Sequence, residues 1–267
     1  VHFLPDTLDG SIKLPKIFFG VFKKYVTKFY KNADHLVVVN PIFKKDLIEY
    51  GIDENKITYI PNYVSKDKFY LKSEKEIKEI KRKYDIPSNK FVVLGVGQVQ
   101  TRKGVKDFVE VAKQNPDLYF VWCGGFSFGK ITDGYQELKA IWENPPQNVK
   151  FLGIIPREEM NDIYNICDVL FMPSYNELFP MSILEAVNLN KPILLRNLEL
   201  YEDILFHKYI MGKNNEEFSS NLKKLSEDKE FYNEASNNSK YISNYYSKEH
   251  VSEIWKNFYL DIYNKVQ

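Results

Sequence analysis

The sequence predicts an α/β protein built on a parallel sheet, and three observations carry that expectation. From about residue 33, short apolar runs alternate with amphipathic segments of helical period, as in successive βαβ units. The runs fall at 35–39, 57–60, 91–95, 118–123, 149–152, 169–172 and 192–195, each the length of a buried strand. Between them, 43–50, 74–84, 105–114, 135–143, 157–166 and 180–189 read as helices.

Composition narrows the class. Of 267 residues, 44% are hydrophobic and 27% charged, which suits a soluble globular chain. Lys plus Arg is 37 and Asp plus Glu is 36, and this balance argues against a nucleic-acid surface. Only four of those bases are Arg, the residue of bidentate phosphate recognition. Cys123 and Cys167 are too few for a disulfide framework and fit a reducing, cytoplasmic compartment. No apolar run reaches the roughly 18 residues of a membrane span. There is no Asp-x-Asp and no His or Cys pair at ligand spacing, so neither a metal nor another cofactor is expected.

The elements follow in order. The chain opens at Val1 in an apparent strand-to-loop transition, so it reads as lacking its N-terminal part. Residues 13–31 carry six lysines, and no acid occurs between Asp9 and Asp34. At about 100° per residue, Lys16, Lys23, Lys24, Lys28 and Lys31 share one face of a helix. Phe18, Phe19, Phe22, Tyr25, Val26, Phe29 and Tyr30 share the other. A basic helix with an aromatic side suits an anionic membrane surface. The same aromatics would equally serve as core beneath solvated lysines. Residues 61–90 read as a connector, which divides the chain into 1–70, 71–245 and a terminal helix. After Tyr201 only helices are expected. In the last of them Val251, Ile254, Trp255, Phe258, Ile262 and Tyr263 form a stripe, so 246–267 is expected to cross back onto the first lobe.

Two segments carry chemistry-bearing residues. In "VLGVGQVQTRKGV" a strand runs into a glycine turn at Gly97 and Gln98, then Arg102, Lys103 and a helix opening at Gly104. Amides at a helix start beside flexible cations suit an anion such as phosphate. In "DVLFMPSYNELFPMSILEAV" a strand ends at Pro173, Glu177 sits in a loop, and a helix opens at Pro180, a residue suited to the first helical position. Glu185 lies eight positions after Glu177, on the second helical turn. A loop carboxylate accepts hydrogen bonds from sugar hydroxyls, and a helix carboxylate takes both hydroxyls of a ribose. Between them the amides of Phe179, Pro180's successor Met181, and Ser182 face a helix-end anion. A third stretch, "NVKFLGIIP", places Gly153 and Ile154 after a strand, where backbone can meet a flat base.

Together with "ADHLVVVNPIFKKDLIEYGI" and "KITYIPNYV", these segments resemble the retaining glycosyltransferases of family 4, in register from about Asp34 to about Leu205. The resemblance implies a GT-B fold, with a Rossmann-like donor domain following the end of an acceptor domain. It implies that Glu177 holds the donor sugar, Glu185 the ribose and Lys103 the diphosphate. Gly97, Gln98, Arg102, Gly153, Ile154, Phe179, Pro180, Met181 and Ser182 would complete the donor site. His2, heading "VHFLPDTLDGSI", would face the sugar. Three positions depart from the pattern: Gln98 where Arg is usual, Leu178 where Gly is usual, and the turn 188–190.

Segment 13–31, "VKDFVEVAKQNPDLYFVWCGG" and 198–218 are most similar to bacterial diacylglycerol glucosyltransferases. That similarity implies UDP-glucose as donor, diacylglycerol as acceptor, retention, and a peripheral place at the inner membrane face. Alternatives are a family-4 transferase for a polysaccharide or teichoic-acid precursor, and a non-catalytic partner subunit. No oligomeric state follows from the sequence.

Overall fold

The computed structural model describes Val1, Leu4, Pro5 and residues 16–266. Among these, the strands form two parallel sheets. The first sheet pairs β1 (Leu36–Val38) with β2 (Ile57–Tyr59). Helix α1 (Lys16–Lys31) precedes it, and α2 (Pro41–Glu49) connects its strands. Leu36, Val38, Phe43, Leu47 and Ile57 make the small core of this part.

The second sheet has six strands in the order β5-β4-β3-β6-β7-β8. They are β3 (Val92–Val96), β4 (Tyr119–Cys123), β5 (Val149–Gly153), β6 (Val169–Met172), β7 (Ile193–Arg196) and β8 (Ile210–Gly212). Five helices connect them: α4 (Val105–Gln114), α5 (Tyr135–Glu143), α6 (Met160–Ile166), α7 (Met181–Asn188) and α8 (Glu199–Leu205). Every strand pair is parallel. The inner strands are apolar on both faces, as a sheet covered on both sides requires. Leu94, Val121 and Leu170 fill one layer, and Val93, Phe120, Val169 and Phe171 the other.

From β3 the chain winds outward to β4 and β5, then returns to lay β6 on the opposite side of β3. The order therefore reverses between β3 and β6. Ligands of open α/β sheets bind at such a point, beyond the carboxyl ends of the strands.

Between the sheets, α3 (Glu74–Lys83) starts from a full capping box of Ser73 and Glu76. The approach to it is pinned: the Tyr70 and Lys72 amides donate to Asn161 and Asn165, one helical turn apart on α6. Helices α9 (Asn215–Glu227) and α10 (Lys229–Tyr245) cover the sheet, and α11 (Lys248–Val266) follows. In α11 the Phe258 ring packs 5.2 Å from His35, beside β1, and Trp255 lines a cavity with His35 and Val37.

Three local readings need correction. β8 interrupts the helices expected after Tyr201; at three residues it is too short to show a strand period. Pro180 caps α7 from an extended conformation, with ψ of 108°, and the helix starts at Met181. In α1, Lys23 turns from the lysine face, half-buried with its ammonium 4.8 Å from the Tyr50 ring. Tyr30 packs on the first core, while Tyr25 and Phe29 are 70% and 67% exposed.

Candidate active site

The turn after β3 and the loop after β6 meet at the switch point. Two close approaches shape it. Gly104 has φ of 69°, and a Cβ there would strike the Pro173 carbonyl at the end of β6. Gly124 has φ of 136°, and a Cβ there would strike the carbonyl of Gly97. Only glycine supplies both the positive φ and the space. The Gly97 backbone is fixed from two sides, its amide donating to Cys123 and its carbonyl accepting from Trp122 Nε1, each at 2.9 Å.

Strapped together in this way, the two segments exchange polar contacts. The Tyr175 amide donates to the Arg102 carbonyl at 2.8 Å, and Arg102 Nη1 donates to the Asn176 carbonyl at 2.6 Å. Lys103 extends its methylenes across Gly97 and donates from Nζ to Glu177 Oε1 at 2.6 Å. Arg102 Nη1 stands 3.8 Å from Glu177 Oε2. Glu177, only 6% exposed, thus lies between two cations. Burial of a carboxylate is tolerated when paired in this way. Behind it Tyr201 is fully buried; burial above all, then the Glu177 charge, pushes its hydroxyl well above the usual range.

Glu185 is set differently. It lies on the second turn of α7 and is 2% exposed. Arg157, in the short 3₁₀ turn before α6, brings Nη1 to 2.5 Å from Glu185 Oε1 as an ion pair without an aligned hydrogen bond. The Arg157 guanidinium also covers the Phe69 ring, 4.9 Å from its centre. Deeper in, Tyr164 and Cys123 border the Glu185 carboxylate. Burial, with a further push from Glu185, raises the Cys123 thiol to about 12, so it stays protonated at neutral pH.

The other expected residues are distributed as follows. Gln98 accepts from the Gln100 side chain at 3.1 Å, which engages its oxygen within the turn. Gly153 has φ of 77°, with open space where a Cβ would stand, and Ile154 is 73% exposed beside it. Phe179 packs against both cores, and Ser182 Oγ contacts Met172 Sδ at 3.2 Å. The Ile183 amide bonds back to Pro180, so the amides of Phe179, Met181 and Ser182 precede the helix's own ladder. His2 lies outside the described residues. Among the described residues no three His, Cys, Asp or Glu side chains gather as metal ligands.

Sequence reading missed Asn40, Arg157, Tyr164 and Tyr201. Buried Asn40 caps α2 through Ile42 and donates from Nδ2 to the Leu178 carbonyl at 3.1 Å. Its Asn-Pro cap signal is visible in sequence, yet its reach to residue 178 is not.

The family model for group 1 glycosyl transferases matches residues 76–241. The chain belongs to the group 1 glycosyltransferases. Residues 2–68 match the model for glycosyltransferase family 4. The chain is 45% identical, over 97% of its length and 69% of the relative's, to the alpha-galactosylglucosyldiacylglycerol synthase of Streptococcus pneumoniae. It is 31% identical to the processive diacylglycerol alpha-glucosyltransferase of Acholeplasma laidlawii, over 76% of this chain and 61% of that one. Among solved structures, Anabaena HepE in complex with UDP and glucose superposes with a TM-score of 0.81 at 17% identity, covering 97% of this chain and 70% of that one. The lipopolysaccharide glycosyltransferase WaaG gives 0.68 at 16% identity, covering 87% and 66%. These likenesses make the fold of this glycosyltransferase GT-B.

Proposed function

We propose that the chain transfers a hexose from a UDP-sugar to a hydroxyl of a diacylglycerol-based glycolipid, with retention. The observation that carries the reading is the meeting of Lys103, Arg102, Glu177 and the start of α7 at the switch point. As the nucleoside diphosphate departs, negative charge grows on the leaving phosphate. Lys103, Arg102 and the free amides of α7 stabilise that charge. Glu177 accepts hydrogen bonds from the sugar, and Glu185 from the ribose diol. The base lies over Gly153 and Ile154, and Gln98 borders the diphosphate. The acceptor side is the part built on the first sheet, within residues 1–70. No metal is needed where two side-chain cations meet the phosphates.

The lipid acceptor rests on the two relatives named for diacylglycerol glycolipids. Glucose is the hexose expected from sequence, and galactose is favoured by the name of the 45% identical relative. Transfer assays with UDP-glucose and UDP-galactose in parallel decide between them. Titration calorimetry of the full-length protein with UDP tests the donor site. Glu185→Ala is expected to weaken binding by about 1–3 kcal/mol, the range for losing hydrogen bonds to a charged group. An unchanged affinity places the ribose elsewhere.

The acceptor reading includes a membrane surface. Lys24, Lys28 and Lys31 stand exposed on α1, next to exposed Tyr25 and Phe29. Each lysine contributes about 1 kcal/mol at an anionic surface. Changing these three to Gln is expected to release the protein from anionic vesicles by about 3 kcal/mol, as added salt also does. Equal co-sedimentation of wild type and variant excludes the electrostatic contact.

A further inference from the structure

The Glu185 carboxylate has a solvent side and an interior side, and the interior side holds a polar group with no settled partner. Tyr164, on α6, is fully buried, and its hydroxyl makes no aligned hydrogen bond. Native interiors pair such groups, because an unmet buried hydroxyl costs about 1–3 kcal/mol. Three titratable neighbours border it: Cys123, Cys167 and Glu185. Cys167 Sγ is engaged with the Tyr164 carbonyl at 3.2 Å, and Cys123 Sγ with Met160 Sδ at 3.6 Å. Glu185 Oε1 also lacks an aligned hydrogen bond. Of the three, the carboxylate is the acceptor left for the phenol.

The phenol keeps a proton to donate. Burial foremost, and the adjoining Glu185 charge, keep it protonated far above the usual tyrosine range. Its ring is held edge-on by Phe69, with centroids 5.7 Å apart, so the hydroxyl has a fixed anchor. Arg157 meets Oε1 from the other side on a side chain 62% exposed to solvent. One partner of Glu185 is thus locked in the core, and the other is on a flexible arm.

We propose that Tyr164 is a positioning residue of the donor site: its hydroxyl donates to Glu185 and aims the carboxylate at the ribose 2′- and 3′-hydroxyls of the nucleotide. Arg157 is the partner that gives way when the diol arrives. Discrimination between a ribonucleotide and its 2′-deoxy form then depends on a residue that touches neither. This inference rests on the donor reading above.

The test is calorimetry of the full-length protein with UDP and with 2′-deoxy-UDP, for wild type and Tyr164→Phe. Phenylalanine keeps the ring contact with Phe69 and deletes only the hydroxyl. The preference of wild type for UDP is expected to fall about tenfold in the variant, one hydrogen bond to a charged group. The loss should fall on UDP, with 2′-deoxy-UDP nearly unchanged. Equal weakening of both nucleotides indicates a merely structural tyrosine and overturns the proposal. A ligand-free measurement accompanies it: denaturant unfolding of Tyr164→Phe, Glu185→Ala and the double variant. Non-additive losses support the hydroxyl–carboxylate bond, and additive losses overturn it while leaving the donor reading intact. Failure of wild type to bind UDP overturns the donor reading, and with it the assignment to ribose.

Discussion

The two glutamates of the site are both buried and both paired with basic side chains, yet their surroundings differ. Glu177 sits on a loop between Lys103 and Arg102, both delivered by the turn after β3. Glu185 sits on a helix, with a phenol and a thiol on its interior side and one exposed guanidinium outside. The loop carboxylate therefore depends on two cations from another strand's turn, while the helix carboxylate has one exposed cation outside and a neutral interior lining. In the donor reading Lys103 serves two anions, the Glu177 carboxylate and the diphosphate. Glu185 has no such competition at the phosphates.

The sharpest way to break the comparison is to remove Lys103. Lys103→Ala strands a buried carboxylate, and the expected cost is about 3 kcal/mol, the low end for a broken buried pair because Arg102 remains. Thermal unfolding reads this directly, and transferase activity should fall about 10²–10³-fold with the loss of one transition-state donor. For stability, Arg102→Gln should be far milder. Its firmest bond is to the Asn176 carbonyl and its approach to Glu177 is 3.8 Å, so about 1 kcal/mol of stability is expected to go. Should Arg102→Gln prove as damaging as Lys103→Ala, Arg102 is the principal cation and the ordering of the pair reverses.

Much of this was legible in the chain before folding. Strands β3, β4, β6 and β7 announce themselves as apolar runs because a sheet covered on both faces leaves no polar alternation to confuse them. Glu177, Glu185 and Lys103 stood out through order along the chain, since each follows a strand and lies in or beside the next helix. The partners of those residues were not legible. Tyr164 reads as one more apolar position of an amphipathic helix, and nothing in its own segment signals a carboxylate 21 positions away on another helix. Arg157 looks like any exposed base in a helix's first turn. Lys23 fell on the lysine face by angle alone, whereas the Tyr50 ring, brought up by the turn after α2, draws it inward. β8 was missed because three edge residues carry too little pattern to distinguish a strand from a turn.

The Asn40 side chain has a mechanical consequence. Through one amide it caps α2 and holds the carbonyl of Leu178, the neighbour of Glu177. The Asn40 amide thus ties the end of β1 and the start of α2 to the loop that carries Glu177. Leu178 stands where a glycine is usual in the family it resembles, and a side chain there packs on the first core. The loop is therefore tied to the first core by the Leu178 carbonyl, the Leu178 side chain and the Phe179 ring.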